Sequence, residues 1–94
     1  MSVLYLKDDD AVLDFSFRWT DWLAEGDTIV SFKITVPTGI TLGVGAQAAY
    51  ESGGAITYWL TGGTIGRTYA IACRVTTSAG RIDERTMLVK VIER

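Results

Sequence analysis

The 94-residue sequence predicts a single all-β domain over residues 1–94, folded as a sandwich of about seven strands. Two observations predict this class. Apolar and polar residues alternate with a period of two along most of the chain, which is the pattern of half-buried strands. Glycines and short polar turns interrupt that alternation about every ten residues, as in antiparallel sandwiches. A chain of this length seldom supports a second hydrophobic core.

The first two predicted strands show the clearest alternation. Residues 13–19 place their aromatic side chains on one face and polar side chains on the other. Residues 28–36 repeat the pattern, with Val30 and Phe32 expected on one inner face. Pro37 ends this strand because proline has no N–H to offer the ladder. Residues 20–25 are predicted to form at most one helical turn.

Four further segments complete the predicted fold. Residues 55–60, 68–77 and 81–92 each alternate and read as strands. Residues 40–44 predict a short edge strand, because glycine weakens a strand interior. Residues 47–54 are expected to be a loop.

The alternation also predicts which side chains fill the core between the two sheets. The predicted core comprises Phe15, Phe17, Phe32, Ile34, Tyr69, Ile71, Cys73 and Val75. The last strand should add Met87, Val89 and Val91.

Tyr69 makes the fold prediction more specific. It follows a glycine-rich loop and begins a strand, where immunoglobulin and fibronectin type III sandwiches carry a structural tyrosine corner. The hydroxyl of such a tyrosine bonds to backbone a few residues upstream. We therefore expect an immunoglobulin-like or fibronectin type III-like sandwich in which the Tyr69 hydroxyl bonds backbone within residues 61–67; an ordinary core tyrosine is the alternative.

The residue inventory argues against an enzyme. Histidine is absent, which removes the usual general base and the commonest zinc ligand. The single cysteine, Cys73, has apolar neighbours on its face and reads as an inert buried thiol. The glycine-rich run 62–66 lacks a phosphate-binding lysine and a following helix. We expect no catalytic site, no cofactor and no metal.

The sequence gives only a weak indication of a calcium site. Asp8, Asp9 and Asp10 are clustered oxygen ligands of the kind calcium prefers, but adjacent residues point apart and the spacing of a calcium loop is missing. A solvated loop is the alternative, and it is favoured.

Nucleic acid is not expected as a partner, because the sequence pI is near 4.9. No apolar run is long and uninterrupted enough to predict a membrane span.

Charge is unevenly distributed along the chain. Residues 1–32 carry a net charge of −5 and residues 67–94 carry +3, whereas residues 34–66 contain only Glu51. Two interpretations explain why residues 34–66 carry so little charge: a buried strand with glycine loops, or a surface covered by a partner. On the second reading Trp22, Tyr50 and Trp59 are the candidate interface residues, since aromatic anchors dominate interface energies. Of the nearby pair Trp19 and Trp22, one is expected in the core and the other at the sandwich end or against a partner.

Several runs resemble a family of small tailed-phage proteins, the fibre–tail adaptors. The runs that carry the resemblance are residues 5–15 (YLKDDDAVLDF), 19–23 (WTDWL), 26–29 (GDTI), 59–64 (WLTGGT), 66–69 (GRTY) and 76–81 (TTSAGR). They span nearly the whole chain. The resemblance departs at Asp9, where a proline is expected, and is weakest over residues 43–54.

This resemblance implies a structural protein of the virion tail, assembled in the host cytoplasm. Its implied partners are other tail proteins and tail fibres, with several copies arranged around the tail axis. Two alternatives remain open. A capsid decoration or cement protein could use the same sandwich, and a carbohydrate-binding module would need exposed coplanar aromatics, for which Trp22, Tyr50, Tyr58 and Trp59 are the candidates.

Overall fold

The computed structural model describes residues 4–8 and 11–93, and it folds them into two β-sheets with a shared apolar interior. Each sheet contains four strands. The strands are β1 (Leu4–Asp8), β2 (Leu13–Arg18), β3 (Ile29–Thr35), β4 (Ile40–Leu42), β5 (Tyr50–Ser52), β6 (Ala55–Gly62), β7 (Thr68–Thr77) and β8 (Ile82–Ile92). One 3₁₀ turn, Gly45–Gln47, lies between β4 and β5.

The first sheet has the strand order β1-β8-β7-β3, and the second has β2-β6-β4 with β5 also paired to β6. Strand β1 runs parallel to β8, whereas the other pairs are antiparallel. Strands β4 and β5 lie along the same edge of β6, where β4 pairs with residues 60–62 and β5 with residues 55–57. The second sheet is therefore three strands wide, with its outer strand interrupted by the loop 43–49.

The all-β sandwich prediction is confirmed in architecture. Two strands were absent from the prediction. Strand β5 falls inside residues 47–54, which were predicted as a loop, and β1 falls in a segment to which no strand was assigned. Both are short, so alternation carries little signal for either, and β1 pairs with a strand more than 80 residues away.

The immunoglobulin-like subclass remains a prediction. A constant-type immunoglobulin domain places its first strand in the sheet of the second strand. Here β1 instead pairs with β8, in the sheet opposite β2. The strand order establishes a two-sheet sandwich without assigning that subclass.

The core lies between the inner faces of the two sheets. It contains most of the predicted residues, including Phe17, Tyr69, Ile71, Cys73 and Val75 from the first prediction and all three from β8. Phe15, Phe32 and Ile34 are half-buried and pack against this core. The largest fully buried side chains are Trp19 and Tyr58.

Strand β3 corrects one predicted face. Its pairing with β7 shifts register between Ile29 and Ser31. A β-bulge inserts one residue and inverts the alternation on one side of it. As a result Ile29 is buried, while Val30 is 62% exposed rather than sharing the inner face with Phe32.

Residues 19–23 make the single turn that was expected near this point. The carbonyl of Trp19 accepts hydrogen bonds from the backbone N–H groups of Trp22 at 2.9 Å and Leu23 at 3.0 Å. No helix among the described residues is long and apolar enough to cross a membrane.

Candidate interaction surface

The outer side of the second sheet carries two aromatic residues, Tyr50 and Trp59. Strand β6 buries alternate residues, so Thr57, Trp59 and Thr61 project outward. Tyr50 on β5 is opposite Thr57 in register, and residues directly opposite share a face. Tyr50 is 54% exposed and Trp59 is half-buried. We call this surface, formed by Ser16, Tyr50, Thr57, Trp59 and Thr61, the aromatic face.

The aromatic face is nearly free of charge. Ser16 and Thr57 hydrogen-bond through their hydroxyls at 3.0 Å across β2 and β6. Glu51, the one charged residue between positions 34 and 66, accepts a hydrogen bond from the backbone N–H of Gly54 at 2.8 Å. That carboxylate is therefore committed to the β5–β6 turn. On β2, two exposed charged residues flank Ser16 on this face: Asp14 opposite Trp59 and Arg18 opposite Ala55.

The loop 43–49 borders Trp59 closely because position 43 is glycine. The N–H of Gly43 donates to the carbonyl of Trp59 at 2.8 Å. A Cβ at position 43 would lie 2.6 Å from the carbonyl oxygen of Gln47 and 3.0 Å from the Cβ of Trp59. The loop can fold back beside the tryptophan only without a side chain there. Val44 at its tip is 81% exposed, and the loop has no charged residue.

Trp22 lies apart from the aromatic face, at the sandwich end where β7 turns into β8. The guanidinium of Arg81 lies 4.0 Å from the centroid of its ring and also donates to the Trp22 carbonyl at 3.2 Å. These contacts hold the half-buried ring on the chain itself. The structure thus brings Tyr50 and Trp59 together but separates Trp22 from them.

Trp19 fills the core at the same end. It is fully buried, and its indole N–H donates to Asp83 at 2.9 Å. Arg85 lies 5.0 Å from its ring centroid. Of the two tryptophans, Trp19 is therefore the core residue and Trp22 covers the sandwich end.

A second network joins the loops of this end. The Oδ1 atom of Asp27 accepts hydrogen bonds from the hydroxyl of Ser78 at 2.6 Å and from the N–H groups of Thr28 and Ala79. The hydrogen bond from Ser78 is the main reason that the pKa of Asp27 lies below its usual value. This carboxylate links the β2–β3 loop to the β7–β8 turn.

Tyr69 anchors the opposite end of the sandwich. Its ring is buried, and its hydroxyl accepts a hydrogen bond from the backbone N–H of Thr64 at 2.9 Å. Thr64 belongs to the stretch in which the bonding partner was expected. Hydrogen bonds from Thr64 hold the pKa of Tyr69 below its usual value.

Lys7 is a structural residue that sequence reasoning missed. Its side chain is fully buried, and its Nζ donates to the carbonyls of Asp8 and Gly62, each at 2.8 Å. The bond to Gly62 ties β1 in the first sheet to the end of β6 in the second. Nothing in the local sequence indicates that Lys7 is buried rather than solvated.

Burial overturns the candidate role of Tyr58 and agrees with the one expected for Cys73. Tyr58, a candidate carbohydrate-contacting residue, is fully buried and its hydroxyl donates to the Sδ of Met87 at 2.8 Å. It cannot form part of an exposed platform. Burial raises the pKa of the Cys73 thiol to about 12, which agrees with an unreactive thiol.

Within residues 4–8 and 11–93, no group of three or more His, Cys, Asp or Glu side chains is placed to hold a metal ion. Asp9 and Asp10, two members of the weak calcium candidate, lie outside the described residues.

The comparison with protein families adds the decisive similarity. Residues 7–90 match the family model described as podophage GP4 fiber-tail adaptor protein gp77. The match covers nearly the whole chain and includes both sheets. No curated protein matches the sequence significantly.

Proposed function

Because the chain belongs to the podophage GP4 fiber-tail adaptor family, we propose that it docks tail fibres onto the tail through the aromatic face. The role of a structural tail adaptor follows from the family, since the match spans residues 7–90. The same membership makes tail and fibre proteins its partners and the virion tail its location. The docking surface and the arrangement of copies are the proposed part.

The observation that supports the surface is the exposure of Tyr50 beside Trp59 on a sheet face with little charge. A strand face that needs only to remain soluble normally carries charged residues. Interface cores are depleted of charge and enriched in tyrosine and tryptophan. The aromatic face has both properties, and the uncharged loop 43–49 extends it.

The number of copies and their orientation form a second part of the proposal. Several copies surround the tail axis, and the acidic segment 1–32 of one copy faces the basic segment 67–94 of its neighbour. Complementary charge orients subunits more than it adds affinity. Assembly takes place in the host cytoplasm, which suits a chain whose single cysteine is buried.

Trp22 has a different proposed role. Its ring is held by Arg81 at the sandwich end, so it lies outside the surface that carries Tyr50 and Trp59. We propose that Trp22 contacts a neighbouring subunit rather than the fibre.

The test is to replace the two aromatic residues and measure fibre attachment. Tyr50→Ser and Trp59→Thr should leave tails that contain the adaptor but lack fibres, seen by electron microscopy and by protein composition of purified particles. Thermal unfolding should change little for Tyr50→Ser, because an exposed side chain contributes about 0.5 kcal/mol or less.

The matched control is Lys33→Thr on the outer side of the first sheet, which removes an exposed side chain of similar reach. It should attach fibres normally. Full fibre occupancy in the Tyr50→Ser and Trp59→Thr particles would disprove docking through the aromatic face. Particles that carry the adaptor on the capsid shell rather than the tail would instead place it among decoration proteins.

A further inference from the structure

A groove runs along the side of the sandwich between β8 of the first sheet and β2 of the second. Its volume is about 260 Å³. Phe17 and Met87, both buried core residues, reach it from the two sheets. The ring of Tyr5 lies at one end, packed edge-on against Phe15 with centroids 5.8 Å apart. The groove therefore opens directly onto the hydrophobic core.

Two strand edges border this groove. Strand β8 pairs with β7 from Ile82 to Lys90, but on its other side it pairs with β1 only from Leu88 to Ile92. Among the described residues, positions 82–87 thus have no neighbouring strand on the groove side. Strand β2 pairs with β6 alone. Alternate residues of each strand direct their N–H and C=O groups to the unpaired side.

The other sheet edges are less suited to accept a strand. Strand β3 has the bulge between Ile29 and Ser31 and carries the exposed Lys33. Bulges and edge lysines are devices that prevent edge-to-edge pairing. Strands β4 and β5 have only three residues each and are separated by the loop 43–49. The β8 edge combines an unpaired stretch with an apolar cavity, which the edges of β3, β4 and β5 do not.

The charge at the groove defines the chemistry of its occupant. Its lining includes Arg18 and Arg85 but no acidic residue, although the chain as a whole has a net charge of −2. Arg85 donates to the carbonyl of Arg18 at 2.6 Å and lies 3.4 Å from Asp83, with its side chain 40% exposed. Arg18 is exposed. Guanidinium groups in this position favour a carboxylate.

We propose that the groove binds an extended, acidic segment of a partner subunit, which adds as a strand beside residues 82–87 of β8. Backbone hydrogen bonds to the unpaired edge hold the segment, as in other strand-addition complexes. One apolar side chain enters between Phe17 and Met87, and a carboxylate faces Arg18 and Arg85. The unpaired stretch accommodates about six residues at roughly 3.3 Å each.

The groove borders the aromatic face at Ser16, which belongs to both, but it contains neither Tyr50 nor Trp59. Within the second sheet the groove lies on the β2 side of β6, while Tyr50 lies on the β5 side. An adaptor needs two separate attachment surfaces, one for each body that it joins. The inference goes beyond the proposed fibre contact and does not depend on it.

The experiment uses the full chain, labelled with ¹⁵N, and two synthetic seven-residue peptides with blocked termini. Because Arg85 and Met87 face the same side of β8, each peptide carries leucine and two charged residues at every second position, with threonine between them. The charged residues are aspartate in one peptide and lysine in the other. The acidic peptide should shift amide resonances of residues 13–18 and 82–87, and it should bind about fivefold more tightly or better than the basic one. Arg18→Glu should reverse that order, while the matched control Arg74→Glu, an exposed arginine on the outer side of the first sheet, should preserve it.

The outcomes separate the proposal from its competitors. Shifts confined to β3, or equal affinity for both peptides, would overturn it. A chain lacking residues 1–3 supplies the further control: if the acidic peptide binds only after that deletion, the chain's own N-terminal segment occupies the groove and the proposal is wrong. Because peptide binding is measured on the free chain, this result stands whether or not the aromatic face docks fibres.

Discussion

The two sheets have equivalent inner faces and very different outer ones. Inside, both present fully buried apolar side chains, such as Leu60 from the second sheet and Val89 from the first. Outside, the first sheet carries Lys33 and Arg74 side by side across β3 and β7, with Glu84 opposite Arg74 on β8. The second sheet carries tyrosine, tryptophan and threonine on β5 and β6, with its exposed charges, Asp14 and Arg18, confined to β2.

The inner faces of the sheets meet the requirements of folding, whereas the outer faces are available for assembly. Burial requires apolar residues on the inner face of each sheet and leaves the outer faces unconstrained. Charge on an outer face keeps it in solvent, and its absence removes that barrier to contact. The comparison therefore favours the second sheet as the side on which the adaptor meets a partner.

The largest expected effect tests the equivalence of the inner faces. Leu60→Ala should lower the free energy of unfolding by about 2–5 kcal/mol, because it leaves a cavity in a fully buried site. The exposed Thr41→Ala on the outer side of the same sheet should change it by about 0.5 kcal/mol or less. Urea titrations measure both. Similar losses in the two variants would show that the outer face also contributes to folding.

The next effect tests the loop that crosses from the second sheet to the first. A Cβ at Gly63 would lie 2.5 Å from Cγ2 of Val91, and the residue has φ +99°. Gly63→Ala should therefore cost about 1–3 kcal/mol or more from strain and overlap together.

The adjacent Gly62 is the control for this loop. It also has a positive φ, +77°, but nothing lies within 4 Å of a Cβ built there. Gly62→Ala should suffer the conformational strain alone and lose less stability in the same unfolding assay. Equal losses would mean that contact with Val91 is not what confines this loop.

Tyr69 tests the hydrogen bond that we interpret as a tyrosine corner. Tyr69→Phe removes the acceptor of the Thr64 N–H and should cost about 1 kcal/mol, the usual value for a lost hydrogen bond. Tyr50→Phe removes a hydroxyl from an exposed side chain and serves as the control. An unchanged melting temperature for Tyr69→Phe would identify Tyr69 as an ordinary core tyrosine.

A separate prediction concerns alkaline pH, to which the inner face of the first sheet responds through Cys73. Cys73 lies on the inner face of the first sheet, where burial raises its pKa to about 12. The pKa of a cysteine thiol in an unfolded chain is about 8.5. The folded state therefore retains a proton that the unfolded state releases. The contribution of the thiol to stability is complete below about pH 8.5 and declines as pH rises toward the folded value.

Unfolding by urea at pH 8 and pH 11 measures this decline. Cys73→Ala should lose less stability between the two pH values than the natural chain, although it begins less stable. Burial also raises the pKa of Tyr58, so part of the decline should remain in the variant. An identical decline in both proteins would exclude the thiol as its source.

The sequence predicted strands well where one strand contains its own pattern. Strands β6, β7 and β8 alternate over eight residues or more, and the inner faces of β7 and β8 were predicted correctly. No inner face was predicted for β6, and Tyr58, named as an exposed candidate, is buried. The family was also recognisable, because its turn and strand motifs are distributed along the chain. The aromatic candidates could be named from the sequence, but their grouping could not, since the β5–β6 pairing is what places Tyr50 and Trp59 on one face.

What the sequence determined by itself was the all-β class, the alternation of the long strands and the poverty of charge between residues 34 and 66. These are local properties, since a strand's inner face follows from a period of two. The tertiary structure decided the rest. The bulge that exposes Val30, the burial of Lys7 and the unpaired edge of β8 all depend on strands far apart in sequence, and only their pairing fixes register and exposure.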